Sequence, residues 1–432
     1  MAARRGLHAL LPALLLALGT LAQAPLAAQD SGAVSAAERA RFGHGNLRPG
    51  ADGNDPSSPR YANFDEAKAG DLAPPPLFAA PEDATPAGWP ARRAELARMV
   101  EDEWVGRIPP AADALTVDWE REVTPEGGEH WIGRVGPDGG PVVDGVLTLP
   151  EQSAGPVPVV IEYTYVWPPG FRFRGPPPPS LRDAALARGW GHVAYRPTLL
   201  QADDLGKIAD GVIGLAGWPR AERDWGALRA WGWGASRLRE RLAADPRIDG
   251  SRVALAGHSR FGKAVLVAAA FDHGFADALV SSSGAGGAKL MRRDFGERIE
   301  NMADPYASIW YAARIRHYAG RASVADWPVD AHMLIALRAP RPLLIATGLA
   351  EQGDGWTDPH GQWLATLAAR EAWRAAGAET FAATGRPEPG SGPVDTPLAF
   401  LQHGEGHVMW PAYDAFLAHA ERFAHGTGDA NP

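Results

Sequence analysis

From residue 252 onward the chain alternates short apolar runs with amphipathic helical stretches, and this constrains the fold more than any other feature. RVALAG (252–257) is followed by the helical RFGKAVLVAAAFD, then by ALVSSS and RPLLIATG. The helical GQWLATLAAREAWRAAG, the run LAFLQHG and a last helix, WPAYDAFLAHAERFAHG, complete the series. Strands that alternate with helices pack as a mostly parallel sheet with helices on both faces. Upstream, VPVVIEYTYVW (157–167) is a near-continuous apolar run, as a strand buried on both faces requires. HVAY (192–195) is a second. RDWGALRAWGWGASRLRERLAAD places Trp225, Leu228, Trp231 and Leu238 on one helical face. Before these, ALTVDWEREV, EHWIGRVG and GVLTLP are separated by Gly and Pro turns and predict an antiparallel start to the sheet. A helix from Trp89 to about Val105 is expected to stop at Pro109–Pro110. The expected fold class is α/β, doubly wound, in one catalytic domain over 60–425 without internal repeats.

The first 28 residues have the make-up of a cleaved secretory signal. Arg4 and Arg5 precede an apolar run over 7–21, and small residues follow, with a cut expected near Ala24–Gln29. The apolar run is too short for a membrane span. Residues 29–59 read as a flexible leader rich in Ala, Gly, Asp, Ser and Pro, and 426–432 as a tail. The expected location is periplasmic or secreted, with no membrane attachment after cleavage. The formal net charge of −9, which becomes −11 without the two leader arginines, gives no sign of a nucleic-acid partner. No cysteine is present, which excludes disulfides, thiolate metal sites and a cysteine nucleophile. Sixteen tryptophans against eight tyrosines favour a ligand with flat faces, such as a sugar ring. A monomer is favoured, and no cofactor is expected.

Chemistry in open α/β sheets collects at the carboxyl ends of the strands. Ser259 lies there, in ALAGHSRFGK (254–263). A nucleophile elbow needs small neighbours around a strained serine. Gly257 supplies one, but Phe261 stands where the second glycine of G-x-S-x-G belongs, with Gly262 one place later. The bland reading is a buried helix-capping serine. An α/β-hydrolase orders its triad as serine, acid, histidine. GEGHVMW offers His407 in a Gly-flanked loop after the last strand, with His403 as competitor; Gly404 and Gly406 are expected to free that loop to reach inward. IATGLAEQGDGWTDP offers Glu351 and Asp354 as the acid, which spacing alone leaves open, and Asp358 as a helix cap before Pro359. Trp310 and Tyr311 lie in SIWYAARIRHY, whose helical spacing favours core packing over pocket lining. Asp330 and His332 lack a third ligand partner in the sequence, so a structural role is expected and no metal site.

GHSRFGK resembles the signature of the glucuronoyl esterases, carbohydrate esterase family 15. The likeness runs on through SSGAGGAKLMRRDFGERIENM, DGWTDPHGQWL and GEGHVMW, and covers roughly residues 60–425. It implies an α/β-hydrolase fold and a serine esterase, with Ser259 as nucleophile and His407 as base. The substrate would be the ester of a (4-O-methyl-)glucuronic acid on glucuronoxylan with a lignin-type alcohol. The resemblance further implies that Arg260 serves the oxyanion, that Lys263, Glu297 and Trp356 hold the sugar, and that Asp354 ranks above Glu351 as the acid. Where some members carry the acid as Glu, this chain has Ser282. Two alternatives follow: another carbohydrate esterase activity, such as deacetylation of xylan, or an inactive glucuronoxylan-binding member.

Overall fold

A computed structural model describes residues 62–424, except 126, 137–138, 167–176, 305–306 and 320–322. The expected signal, leader and tail lie outside the described residues. Nine strands form one sheet in the order β1-β2-β3-β5-β4-β6-β7-β8-β9. Strands β1 (Val117–Val123), β2 (Glu129–Val135) and β3 (Val142–Thr148) form an antiparallel meander, and β3 pairs antiparallel with β5 (Gly191–Tyr195). From β5 across β4 (Val157–Tyr163), β6 (Ile248–His258), β7 (Ala278–Ser281), β8 (Leu343–Thr347) and β9 (Leu398–Gln402), every pairing is parallel. This is the antiparallel start and doubly wound parallel body expected from the sequence.

Burial follows the period of the strands. Val159 and Ile161 of β4 join one core with Val253, Leu255 and Ile345, while Val160 faces the other with Ala254, Leu279 and Leu344. All five residues of β8 are buried. The first core is covered by α1 (Trp89–Val100), α2 (Ala227–Ala243), α3 (Arg260–Phe271) and α4 (Pro359–Ala375), and the second by α5 (Tyr413–Phe423). Trp225, Leu228, Trp231 and Leu238 are all fully buried, as the helical face predicts.

The first helix runs Trp89–Val100 and continues in a π turn (Glu101–Val105), which ends where the sequence predicts; beyond it Arg107 N donates to Arg223 O, and Trp225 N donates to Arg107 O. Two other boundaries differ from expectation, each because tertiary pairing overrides local propensity. β4 stops at Tyr163, and Thr164 N turns to Tyr195 O. SIWYAARIRHY forms two short turns, Ser308–Trp310 and Ile315–Tyr318, with Tyr311 extended between them. Ala312 N there donates to Trp104 O, and the segment's apolar side chains are buried, as core packing requires. Asp330 is also structural: it caps the helix Ala331–Ala336 and accepts from the backbone of Met291 and Arg292.

The end of α5 is locked by a buried ion pair. His419 Nδ1 lies 2.6 Å from Asp277 Oδ2, and its Nε2 lies 3.0 Å from Thr396 O. Both nitrogens face acceptors only, so the ring is held as imidazolium. Burial opposes that charge, but Asp277 and the Thr396 carbonyl outweigh it and raise the pKa above the ordinary 6.5. The stabilisation is therefore full below the unfolded-state value and is lost as pH rises through the folded one. His419→Gln is expected to cost about 3–5 kcal/mol in mildly acidic buffer. That difference from wild type should shrink with rising pH in urea unfolding. A difference that grows with pH would contradict the charged pair.

Candidate active site

Four loops at the carboxyl ends of β6 to β9 meet at one point. The sharpest is the corner between β6 and α3, where Ser259 takes φ 59 and ψ −128. A non-glycine residue at such a φ is strained, and the strain persists only where the surroundings enforce it. The enforcement is visible: a Cβ on Gly257 would stand 2.4 Å from Phe261 O, and one on Gly262 would stand 2.7 Å from Ser281 O. Gly262 thus performs the close-packing role at one residue's offset. Phe261 turns inward onto Trp231 and Tyr163, with ring centroids at 5.5 and 6.2 Å. Ser259 N donates to Ser281 O at 2.9 Å, which ties the elbow to β7.

His407 comes from the loop after β9. Its Nδ1 lies 2.7 Å from Asp354 Oδ1. Asp354 is fully buried and also accepts from Ser282 Oγ at 2.7 Å, Gly348 N at 2.7 Å and Thr357 Oγ1 at 3.0 Å. An acceptor-only carboxylate makes His407 Nδ1 the donor and leaves Nε2 as the free base. Its ring sits between His258 and Trp356, at centroid distances of 4.3 and 4.7 Å. His258 immediately precedes Ser259, so Ser259 and His407 occupy the same end of the sheet. Their side chains form no hydrogen bond among the described residues; such bonds tighten when substrate binds. Burial, then His407 and His403, push the His258 pKa well below its ordinary value, so it stays neutral beside His407.

The competitors fall away on geometry. Glu351 is exposed in the turn Ala350–Gln352 and makes no contact with His407 among the described residues. His403 is buried, and neither of its ring nitrogens has a polar partner among the described residues. Asp358 caps α4, accepting from Gly361 N, as expected. The reason expected for Gly406 needs correction. It serves close approach more than freedom: a Cβ there would meet Gln352 O at 2.0 Å, while one on Gly404 would meet open space.

Beside this centre lies a polar wall. Lys263 Nζ reaches Ser283 O at 2.5 Å and Glu297 Oε2 at 3.3 Å. Burial lowers the Lys263 pKa, against the pull of Glu297. Glu297 N donates to Trp356 O at 2.8 Å, so three of the expected sugar-binding residues are joined. Trp356 Nε1 is buried without a partner among the described residues. Arg260 NH1 donates to Asp203 Oδ2 at 2.5 Å, and Trp310 Nε1 donates to Asp203 Oδ1 at 2.6 Å. The guanidinium lies 5.5 Å from the Trp310 ring centroid, so this tryptophan, for which core packing was favoured over pocket lining, is buried and also borders the site. Sequence reasoning missed Asp203, which follows β5 in no motif, and the part played by Ser282. The loop after β4, which in this fold class usually gives a second oxyanion donor, lies in part (167–176) outside the described residues.

Comparison with known proteins gives the family. A family model described as glucuronyl esterase, fungi, matches residues 219–377. A carbohydrate esterase, MZ0003, from an unknown prokaryotic organism is 37 % identical over 206 residues, 48 % of this chain and 46 % of that protein. A 4-O-methyl-glucuronoyl methylesterase of Hypocrea jecorina is 32 % identical over 35 % of this chain and 34 % of its own length. The chain thus spans less than half the length of these curated relatives. A solved glucuronoyl esterase of family CE15 from Teredinibacter turnerae superposes with a TM-score of 0.77 at 38 % identity, over 88 % of this chain and 96 % of that one. The chain belongs to carbohydrate esterase family 15, the glucuronoyl esterases.

Within this family-15 site the two candidate acids make opposite predictions. Asp354→Asn is expected to lower kcat for ester hydrolysis on the order of 10⁴-fold through loss of the histidine tautomer, and Glu351→Gln to leave it unchanged. Ser282→Ala, which removes one donor from the carboxylate, should cost roughly ten- to a hundredfold. Steady-state kinetics on one ester decides, and the reverse ranking of Asp354 and Glu351 would overturn the choice of acid.

Proposed function

We propose that this chain is a serine esterase that hydrolyses the ester between a (4-O-methyl-)glucuronic acid of glucuronoxylan and a lignin-type alcohol. The observation that carries the reading is the buried Asp354–His407 bond beside the Lys263–Glu297–Trp356 wall. One supplies the machinery for acyl transfer and the other a polar recess for a many-oxygened acyl group.

His407 Nε2 takes the proton of Ser259 Oγ as the oxygen attacks the uronate carbonyl carbon. The carbonyl oxygen becomes an oxyanion. The Arg260 N–H, in the first turn of α3 where amides lack helical acceptors, and the Arg260 guanidinium meet that charge. The bond from the acyl carbon to the alcohol oxygen then breaks, and the alcohol leaves with the proton held on His407. Water gives a proton to His407 and attacks the acyl-enzyme, which releases the uronate and restores Ser259. Asp354 orients the imidazole throughout. Lys263, Glu297 and the unpartnered Nε1 of Trp356 offer donors and an acceptor to sugar hydroxyls, and the orphan indole N–H is a group that a ligand would satisfy. This machinery uses no metal or organic cofactor.

Asp354 within hydrogen-bond distance of His407 supports turnover over binding alone. No helix among the described residues is long and apolar enough to cross a membrane. The signal-like make-up of residues 1–28 supports export to the periplasm or beyond.

The test is release of benzyl alcohol from benzyl glucuronate by the purified protein and by Ser259→Ala, with acetylated xylan in parallel. Turnover by the wild type that vanishes in the variant is expected. Activity on acetylated xylan alone would overturn the substrate assignment.

A further inference from the structure

The residue that carries the sugar-facing carboxylate is held in place by a segment far from it in sequence. Residues 63–69 cross the loop 291–298 as a strap. Gly296 N donates to Asn63 O at 2.7 Å, and Asp294 N donates to Ala69 O at 2.8 Å. The Asn63 side chain is buried; its Nδ2 donates to Asp294 O at 2.5 Å, and its Oδ1 accepts from Asp65 N at 2.9 Å. Phe64 packs edge-on against Phe295, with centroids 6.0 Å apart. Glu66 pairs with Arg293, which in turn pairs with Asp358 at 3.0 Å, and Glu66 also meets His360 at 3.3 Å.

The clamp acts on both sides of one peptide. Gly296 takes φ 64, and a Cβ there would stand 2.3 Å from Trp356 O. Its N–H goes to the strap, while the next N–H, that of Glu297, goes to Trp356 O. The Glu297 backbone therefore has two walls, Asn63 on one side and Trp356 on the other. Nothing in the strap reaches Ser259, His407 or Asp354 among the described residues.

We propose that Asn63 is a positioning residue: through the strap it sets Glu297 against Lys263 and Trp356, and so governs recognition of the uronic-acid ring while leaving acyl transfer to the triad. This rests on the function proposed above. A positioning role acts on the substrate that touches Glu297 and spares one too small to do so.

The experiment compares kcat and KM of the wild type, Asn63→Ala and the exposed Glu66→Gln on benzyl glucuronate and on p-nitrophenyl acetate. Asn63→Ala is expected to lose roughly tenfold more kcat/KM on the glucuronate than on the acetate, through KM rather than kcat. Glu66→Gln should show the same selectivity at a few-fold, and it decides alone if Asn63→Ala does not fold. Equal losses on both esters, or a loss in kcat with KM unmoved, would overturn the positioning role. A wild type that turns over the acetate but not the glucuronate would overturn the proposed function itself, a distinct result.

Discussion

One buried carboxylate organises the catalytic end of this molecule. Asp354 has no exposed surface and would be costly to hold there unless its oxygens were satisfied. Ser282, Gly348, Thr357 and His407 all point donors at it. These residues stand on the loops after β7, β8 and β9, so one side chain draws three strand ends together. The left-handed φ of 43 at Ser282 is part of the same constraint: the chain leaves β7 at an angle that aims a hydroxyl where an extended residue would aim it away.

Much of this was legible in the sequence. Strand and helix order follow from periodicity, and the chain order that a serine hydrolase requires, with the resemblance, pointed to Ser259, Asp354 and His407, which the fold brings to one end of the sheet. Spacing could not divide Glu351 from Asp354, because the two sit three residues apart in one loop; in the structure Asp354 is buried and Glu351 exposed. Phe261 looked like a fault in the elbow motif, and the fault vanishes once Gly262 is seen against Ser281 O. Asp203 and Asn63 carried no local signal, and Ser282 only that it stands where some members carry a Glu. Their partners are tens to hundreds of residues away, and a polar residue in a loop looks the same whether it is solvated or buried against such a partner.

The molecule buries a good deal of charge, and it does so in two ways. His419 and Asp277 meet directly, as do Lys263 and Glu297. Lys289 and Arg338 are instead satisfied by backbone carbonyls: Lys289 by those of Arg293 and Glu297, Arg338 by those of Pro342, Ala269 and Phe275. Carbonyl-held cations tie loops to the interior through the backbone, and burial lowers the pKa of both against the pull of buried carboxylates nearby, Asp358 for Lys289 and Asp277 for Arg338. The Lys289 case matters to the site, because one of the two carbonyls belongs to Glu297.

The strap also bears on the order in which the chain can assemble. Asn63 is among the first described residues to be synthesised, and its partners Asp294 and Gly296 lie more than 230 positions later. Contacts this distant in sequence form late, after the loops between them have closed. The strap has nothing to dock against until the sheet through β7 exists, and Trp356 and His407 come later still. A nascent chain therefore holds the Ser259 corner well before the loop 291–298 has both of its partners, Asn63 and Trp356.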